Sequence, residues 1–143
     1  MTLTDLSQAR EERIQFANIE LLEKGNLVVI DEVFSSEYLA HVGGNKTRGT
    51  AFVQRYVKLV RDALNNVRVV KIDFLNHTDD TVTWQRTLRG THKNAMLGIP
   101  PSGKRVEWKD MLHTRFDGDQ IAEEWAVSEL AGELMLKLPA KNS

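Results

Sequence analysis

The feature that most constrains the fold of this chain is a change in the spacing of its apolar residues near the midpoint. In the first part, apolar side chains recur at intervals of three and four, which is the spacing of amphipathic helices. Over residues 67–128 the interval becomes two, which is typical of strands with one buried face. Turn-forming residues interrupt this second part at 76–80, 98–103 and 117–118. The pattern therefore predicts four successive strands in an antiparallel meander.

Two helices are predicted in the amino-terminal part. The first lies within residues 6–24, with Thr4 as its N-cap and Gly25 as its stop signal. The second runs from about residue 50 to residue 65, where five apolar side chains follow the helical spacing. Because the helices come first and the strands follow, the order is that of an α+β fold with helices on one face of a sheet.

Four shorter segments are less determined by pattern. Residues 26–31 contain four apolar residues in a row, which is compatible with a strand or with a helix extension. Residues 34–38 are expected to form a short turn or helix, and the glycine-rich segment 43–49 a loop. Residues 129–138 are expected to add a short helix or a last strand.

Composition excludes several classes of function. The length of 143 residues suits one hydrophobic core, so we expect a single domain over residues 1–143. The absence of cysteine excludes disulfides, thiolate nucleophiles and cysteine-based metal sites. The net charge of −1 provides no long-range attraction for phosphate backbones, so we expect no nucleic-acid partner.

The amino terminus carries no pattern typical of export. Its first ten residues, MTLTDLSQAR, have neither the basic start nor the apolar run of a secretory signal. No apolar stretch is long enough to span a bilayer. We therefore expect a cytoplasmic protein that does not associate with membranes.

Two patterns that suggest a cofactor are incomplete. Residues 98–105, GIPPSGKR, match a phosphate-binding loop at seven of eight positions. However, Arg105 occupies the position of the magnesium-binding hydroxyl, and Pro100 and Pro101 lack the amide donors that would hold phosphate. The histidines at 41, 77, 92 and 113 have no spacing that places two metal ligands on one helix face. We expect no nucleotide, no metal site and no other cofactor.

The strand pattern over residues 104–116 contains one unexpected charge. Its even positions form an apolar face that carries a carboxylate, Asp110. Loss of water favours the protonated form of a carboxyl group, which makes proton exchange near neutral pH easier. Asp110 is therefore the first candidate for catalysis. The alternative is a purely structural ion pair with an arginine such as Arg86.

The last predicted strand, residues 120–128, has two mixed faces. One face carries Ile121, Glu123, Trp125 and Val127, and the other carries Ala122, Glu124, Ala126 and Ser128. If the small residues face a cavity, Glu124 points inward and the other face forms an apolar patch for a partner subunit, which predicts a homodimer. The opposite assignment, with Trp125 in the core and Glu124 in water, fits the pattern equally well.

Several segments of the second half, taken in order, resemble the SnoaL-like polyketide cyclase family: Arg89-Gly90-Thr91-His92, residues 98–104, Arg115-Phe116, Gly118, Gln120-Ile121 and Glu123-Glu124-Trp125. The resemblance implies a nuclear transport factor 2-like, or cystatin-like, fold. In such a fold a cone-shaped, curved antiparallel sheet is covered on its concave face by amino-terminal helices. The resemblance also implies a cofactor-free aldol ring closure, in which a carboxylate removes a proton next to a carbonyl of a small organic, polyketide-like ligand.

The same resemblance assigns positions in the pocket. The catalytic aspartate of the family corresponds to Ala126, and a strand histidine of the family corresponds to Leu112. His41 and Asp110 correspond to polar pocket positions. We expect acid–base work to be shared by Asp110, Glu124 and His41. The expected ligand-binding residues are Trp108, Leu112, Phe52, Tyr56, Trp84, His92 and Ala126.

Three hypotheses about function follow from these positions. The first is an enzyme of the cyclase, isomerase or lyase type. The second is a non-catalytic ligand-binding or scaffold domain, which Ala126 and Leu112 favour because neither can act as an acid or a base. The third is a hydrolase or dehydratase on the same fold, in which the carboxylates activate water.

Overall fold

A computed structural model describes residues 3–138 of the chain. The helices are α1 (Leu3–Asn18), α2 (Ile30–Val33), α3 (Ala51–Ala63) and α4 (Leu130–Leu136). The strands are β1 (Phe34–Val42), β2 (Asn45–Arg48), β3 (Leu64–His77), β4 (Thr81–His92), β5 (Arg105–Asp117) and β6 (Gln120–Ser128). A π-helical turn at Ile19–Glu23 continues α1, and a 3-10 turn at Leu27–Val29 leads into α2.

The strands form one curved six-stranded sheet in the order β2-β1-β6-β5-β4-β3. Strands β3 to β6 pair in succession and antiparallel, so the predicted four-strand meander is confirmed. Strand β1 then pairs with β6 in parallel, and β2 folds back antiparallel on β1. The predicted α+β class with a curved sheet is confirmed, with this one parallel pair added to the otherwise antiparallel sheet.

The predictions for residues 34–38 and 43–49 are wrong. The first segment begins strand β1 instead of a turn or helix, and the second contains strand β2. Gly43 and Gly44, with φ of 59° and 80°, form the two-residue turn between these strands. Local sequence gives an incomplete signal here because one of the two partners of β1 is β6, which lies about eighty residues later in the chain.

The remaining helical segments are largely as expected. Helix α3 confirms the predicted helix at residues 50–65, although the chain becomes extended at Leu64. Thr4 lies inside α1 and therefore is not its N-cap, whereas Gly25 ends the helical part with a φ of 68°. Residues 26–31 contain helical turns, and residues 129–138 contain α4. Within residues 3–138, no helix is long and apolar enough to cross a membrane.

The core lies between the concave face of the sheet and the helices. Strand β5 alternates mainly between buried and exposed residues, and much of β4 alternates between buried and partly buried residues, so each contributes one row of side chains to the core. Helix α3 covers this row with Val53, Val57 and Val60, which lie at helical spacing on its buried side. Leu134 of α4 is also fully buried.

A β-bulge at Ala122 decides which side chains of β6 point inward. Arg115 pairs with Glu123, but the next residue, Phe116, pairs with Ile121, so Ala122 is an extra residue in the ladder. Ile121 and Ala122 are both buried as a result. The expectation that Ile121 lies on the outer face is therefore wrong.

Beyond the bulge the alternation of β6 is regular. Glu124 is 7% exposed and faces the core side, whereas Trp125 is 39% exposed and faces outward. Val127 also faces outward and is mostly exposed. The first of the two assignments for this strand is confirmed from Glu124 onward.

Candidate functional site

A cavity of about 100 Å³ lies between α1, α3 and the concave face of the sheet. Its walls are mainly apolar, and they include Ile14 and Leu21 from the first helical part and Val57 from α3. Val42 and Ser128 belong to the lining and are exposed to solvent, so they mark its mouth. The volume is several times what one water molecule needs, which leaves space for an organic group.

Seven of the predicted site residues line this cavity: Phe52, Tyr56, Trp84, Asp110, Leu112, Glu124 and Ala126. They come from α3 and from β4, β5 and β6. The strand residues reach the same space because each lies on the inward face of its strand. Period-two alternation in the sequence indicated this face for Asp110 and Leu112 on β5 and left it open for Glu124 and Ala126 on β6.

Asp110 is held at one end of the cavity by an ion pair. Its side chain is 1% exposed, and Oδ2 accepts a hydrogen bond of 2.8 Å from Nε of Arg86. The hydroxyl of Tyr56 also donates to Oδ2, at 3.4 Å, and Nη1 of Arg86 donates to Oδ1 of Asn18 at 2.9 Å. The other carboxylate oxygen, Oδ1 of Asp110, is buried without a hydrogen-bond partner among residues 3–138. The ion pair with Arg86 is therefore present, and it leaves one oxygen free.

Burial and the neighbouring charges shift the pKa values of Arg86 and Tyr56, the two side chains that contact Asp110. Burial lowers the pKa of Arg86, but the charge of Asp110 and the Tyr56 hydroxyl outweigh it, so that this pKa lies above its usual value. Burial raises the pKa of Tyr56 to about 12, against the opposing effect of Arg86. Arg86 thus remains a cation and Tyr56 a neutral hydroxyl at neutral pH.

Glu124 is the second buried carboxyl group of the cavity, and its hydrogen-bond partners are neutral side chains. The Tyr38 hydroxyl donates to Oε1 at 2.9 Å, and the Thr114 hydroxyl donates to Oε2 at 2.6 Å. Nε1 of Trp84 in turn donates to Oγ1 of Thr114 at 2.8 Å. Burial raises the pKa of Glu124 above its usual value, and the hydrogen bonds from Thr114 and Tyr38 and the charge of Arg86 only partly offset this. Burial also raises the pKa of Tyr38 well above its usual value.

Tyr38, Thr114 and Asn18 were not predicted as site residues. Tyr38 was missed because residues 34–38 were expected to form a turn or helix. In the observed strand β1, Tyr38, Ala40 and Val42 alternate and line the cavity. That alternation was the available signal. Thr114 lies two rungs beyond Asp110 on the same strand face, and Asn18 is the polar end of α1.

His41 does not lie in the cavity, so its predicted place in the acid–base site is wrong. It follows Ala40 in β1 and therefore points to the convex side of the sheet. Its Nε2 lies 2.7 Å from Oε2 of Glu123, and its ring stacks on Trp125 at 4.6 Å between centroids. Burial raises the pKa of Glu123, but hydrogen bonds with His41 and Arg115 outweigh this and lower it.

His92 and Trp108 are also outside the cavity lining. His92 is completely buried at the end of β4, paired with Leu64 of β3, instead of lying at a loop mouth. Neither of its ring nitrogens has a hydrogen-bond partner within residues 3–138. Trp108 lies one rung before Asp110 and is buried in the core. The prediction that these two residues contact a ligand is not supported by their positions, because neither lines the cavity.

The described part of the chain contains no group of three or more His, Asp or Glu side chains arranged to hold a metal ion. His77 and His113 each contact one polar side chain. His77 contacts Glu11 at 2.7 Å, and Nδ1 of His113 contacts the hydroxyl of Thr83 at 2.7 Å. Among the residues that line the cavity, Asp110 and Glu124 carry carboxyl groups.

Comparisons with known proteins agree with this geometry. A crystal structure from Streptomyces galilaeus, of AclR, a proposed hydroxylase, is 22% identical with a TM-score of 0.69 and covers 91% of this chain and 97% of that one. A candidate SnoaL-like polyketide cyclase from Jannaschia is 17% identical with a TM-score of 0.76, covering 94% of each chain. A nuclear transport factor 2-like protein from Anabaena variabilis is 11% identical with a TM-score of 0.70, covering 90% of this chain and 93% of that one.

These identities show a shared fold. No curated protein matches the sequence. The family model described as SnoaL-like polyketide cyclase matches residues 12–135, which is most of the chain and contains the whole sheet and the cavity. The chain therefore belongs to the SnoaL-like polyketide cyclase family.

Proposed function

We propose that this protein catalyses cofactor-free acid–base chemistry on a small, carbonyl-bearing, polyketide-like molecule, as a cyclase, isomerase or lyase. The observation that carries the proposal is the burial and hydrogen bonding of the Asp110 carboxyl group. Asp110 belongs to the lining of an apolar cavity; one of its oxygens accepts a hydrogen bond from Arg86, and the other is buried without a hydrogen-bond partner among residues 3–138. A buried polar atom without a partner costs free energy on the order of 1–3 kcal/mol, which binding a ligand would recover.

Asp110 has the geometry of a general base. Arg86 holds Oδ2 and fixes the orientation of the carboxylate, so that Oδ1 can accept a proton from a carbon next to a carbonyl group. Phe52, Trp84 and Leu112 supply apolar surface to the lining of the same cavity, and an apolar environment strengthens electrostatic interactions. The resulting enolate carbon attacks a second carbonyl carbon of the same molecule. The oxygen of that carbonyl takes up a proton, for which Glu124 is the candidate donor.

The position of Asp110 is consistent with a relocated base. By resemblance, the catalytic aspartate of the family corresponds to Ala126, which pairs with Leu112 across β5 and β6. Asp110 pairs with Ser128 one rung away on the same face of the sheet. A carboxylate on β5 can therefore serve the space that a carboxylate at position 126 would serve from β6.

The test is proton exchange at the carbon next to a carbonyl. A panel of linear and cyclic 1,3-diketones is incubated with the protein in heavy water, and deuterium incorporation is followed by NMR. Asp110→Asn should slow exchange by roughly a hundredfold to ten-thousandfold, because it removes the base and keeps the shape. Glu107→Gln is the matched control, since Glu107 lies on the same strand but is exposed on the opposite face. An Asp110→Asn variant as fast as the wild type removes Asp110 from the mechanism.

A non-catalytic binding domain is the second candidate, and the absence of an acid or base at Ala126 favours it. A hydrolase or dehydratase is the third. Analysis of products separates them: ring closure leaves the mass of the ligand unchanged, hydrolysis adds water, dehydration removes it, and a binding protein returns the ligand intact.

We also propose that the protein forms a homodimer through the convex face of the sheet. Met111 and Val127 are paired across β5 and β6 and point outward, and Trp125 lies beside them. Together they form an exposed apolar patch, which is the kind of surface that subunits cover. Sedimentation should show a dimer that Val127→Lys converts to a monomer. A wild-type monomer at high protein concentration would contradict the proposal.

A further inference from the structure

We infer that Tyr38 is a second catalytic residue, which donates the hydrogen bond to the carbonyl oxygen of the bound molecule while Glu124 supplies the proton behind it. This inference rests on the proposed function and adds to it the group that contacts the substrate oxygen. It also orients the substrate, because it places the oxygen at the Tyr38 end of the cavity and the acidic carbon at the Asp110 end.

The direction of the hydrogen bonds around Glu124 is determined by Trp84. The indole N–H of Trp84 can only donate, so Oγ1 of Thr114 accepts at 2.8 Å. The Thr114 hydroxyl has one proton, and its remaining partner is Oε2 of Glu124 at 2.6 Å, so that proton goes to the carboxyl group. Oε2 is therefore an acceptor in every state. When Glu124 is protonated, its proton sits on Oε1.

Oε1 faces the hydroxyl of Tyr38 at 2.9 Å. A protonated Glu124 donates through Oε1 to the Tyr38 oxygen, and the hydroxyl proton of Tyr38 is then released from the contact. Tyr38 is 3% exposed and lines the cavity, and Glu124 is its hydrogen-bond partner in the part of the chain that the structure describes. The released proton can thus point to a ligand oxygen inside the cavity.

The groups facing Glu124 make the protonated state reachable. Tyr38 on β1, Thr114 on β5 and the charge of Arg86 on β4 favour the carboxylate, and burial opposes them by more, which raises the pKa of Glu124. Asp110 and Tyr56 lie at the Arg86 end of the cavity. Glu124 carries no salt bridge of its own within 4.0 Å among residues 3–138, in contrast to Asp110. A donor behind a tyrosine hydroxyl stabilises the negative charge that develops on a carbonyl oxygen.

The proton balance of the reaction is complete with these groups. The bond between the acidic carbon and its hydrogen breaks, and the proton moves to Oδ1 of Asp110. The new carbon–carbon bond forms, the acceptor carbonyl oxygen takes the proton of Tyr38, and Tyr38 takes that of Glu124. Glu124 ends as a carboxylate and Asp110 as an acid, and exchange with water restores both.

The spacing of the two ends defines the substrate class. Asp110 and Thr114, which pairs with Glu124, are four residues apart along β5, so their Cα atoms are about 13 Å apart. The side chains narrow this gap, and apolar residues such as Leu112 and Ala126 lie between them. The site therefore suits a molecule with two separated carbonyl groups and an apolar segment between its polar ends.

The experiment uses 4-nitrophenol, whose oxygen resembles that of an enolate and which contains no acidic C–H for Asp110. Binding is measured by calorimetry and by the visible absorbance of the phenolate. Wild-type protein should bind it, and Tyr38→Phe should weaken binding by about tenfold or more, because a charge-assisted hydrogen bond is lost. Tyr56→Phe removes the same atom from the other end of the cavity and should weaken binding by clearly less. Circular dichroism shows that each variant is folded.

Glu124→Gln provides a second, independent variant. Since Thr114 must donate to the oxygen of the new amide, the amide nitrogen faces Tyr38 and donates to it, as a protonated carboxyl does. Binding of 4-nitrophenol should therefore persist in Glu124→Gln, within about threefold. Binding to wild-type protein should weaken at high pH, where Glu124 and the phenol have both lost their protons. This loss should be smaller in Glu124→Gln.

The inference is overturned if wild-type protein does not bind 4-nitrophenol, or if Tyr38→Phe binds it as well as wild type. It is also overturned if the two tyrosine variants lose the same affinity. These results are distinct from a failure of the proposed base. An Asp110→Asn variant with full proton exchange would refute the role of Asp110, whereas the binding of 4-nitrophenol reports only on the oxygen end of the cavity.

Discussion

The two ends of the cavity each bury a carboxyl group to a similar degree, but one carboxyl group is paired with a cation and the other with hydroxyl groups. Asp110 forms an ion pair with the guanidinium of Arg86. Glu124 meets two hydroxyl groups, which compensate its burial only in part. The difference teaches that two carboxyl groups buried to a similar depth can have different partners, and the proposed roles of base for Asp110 and acid for Glu124 rest on that difference. Two acids in one cavity can then take complementary roles.

The largest effect on stability should come from removing the positive charge of Arg86, which is present at the Asp110 end of the cavity. Arg86→Met leaves Asp110 buried without its cation, and we expect a loss of about 3–5 kcal/mol in the free energy of unfolding. Chemical denaturation measures the loss. The double variant Arg86→Met with Asp110→Leu should recover much of it, because no charge is then buried. A single variant as stable as wild type would contradict the contrast between the two ends.

A smaller effect should appear in the pH dependence of stability. The pKa of Glu124 is raised in the folded state, so the folded protein binds this proton more tightly than the unfolded chain. The stabilisation is complete below the unfolded pKa and is lost as pH rises through the folded pKa. Each tenfold difference in proton affinity is worth about 1.4 kcal/mol.

Glu124→Gln removes this titration and preserves the shape of the side chain. Subtracting its unfolding free energy from that of the wild type, at each pH, isolates the contribution of Glu124 from those of other groups. The unfolding free energy of the wild type should fall relative to that of Glu124→Gln as pH increases above the ordinary pKa range of a carboxyl group. A flat difference would show that Glu124 is not perturbed by its burial.

The smallest effect is expected on the convex side of the sheet. His41 and Glu123 lie 2.7 Å apart and are both partly exposed to solvent. Such pairs contribute about 0–1 kcal/mol, so His41→Gln should change stability by no more than that. The variant should exchange diketone protons at the wild-type rate, which NMR measures as for Asp110→Asn. A large loss of exchange would place His41 back in the mechanism.

The predictable part of the fold is the part that local spacing determines. Helix α3 and the strands β3 to β6 carry their own periodicity, and so does the inward position of Asp110 on β5. Strand β1 was missed although Tyr38, Ala40 and Val42 alternate, because residues 34–38 were assigned to a turn or helix and the strand pairs with β6, which is distant in the sequence. The errors for Tyr38 and His41 follow from that, since a residue in a strand faces the opposite side from its neighbour.

Glu124 illustrates a different limit. Both faces of β6 carry one glutamate and some apolar residues, so alternation alone could not decide between them. The bulge at Ala122 and the pairing with β1 decide it in the structure. Polar partners such as Thr114 and Asn18 could not be identified from spacing, because a threonine in an apolar strand face also fits a purely structural role.

The parallel pairing of β1 with β6 has a consequence for the order in which the cavity is assembled. Tyr38 and Glu124 are 86 residues apart in the chain, whereas Arg86 and Asp110 are separated by 24 and come from adjacent strands of the meander. Contacts between distant segments require the closure of long loops, which is slow. We therefore expect that a chain that has folded its meander already holds Asp110 and Glu124, and that Tyr38 reaches Glu124 only when the first and last strands have met.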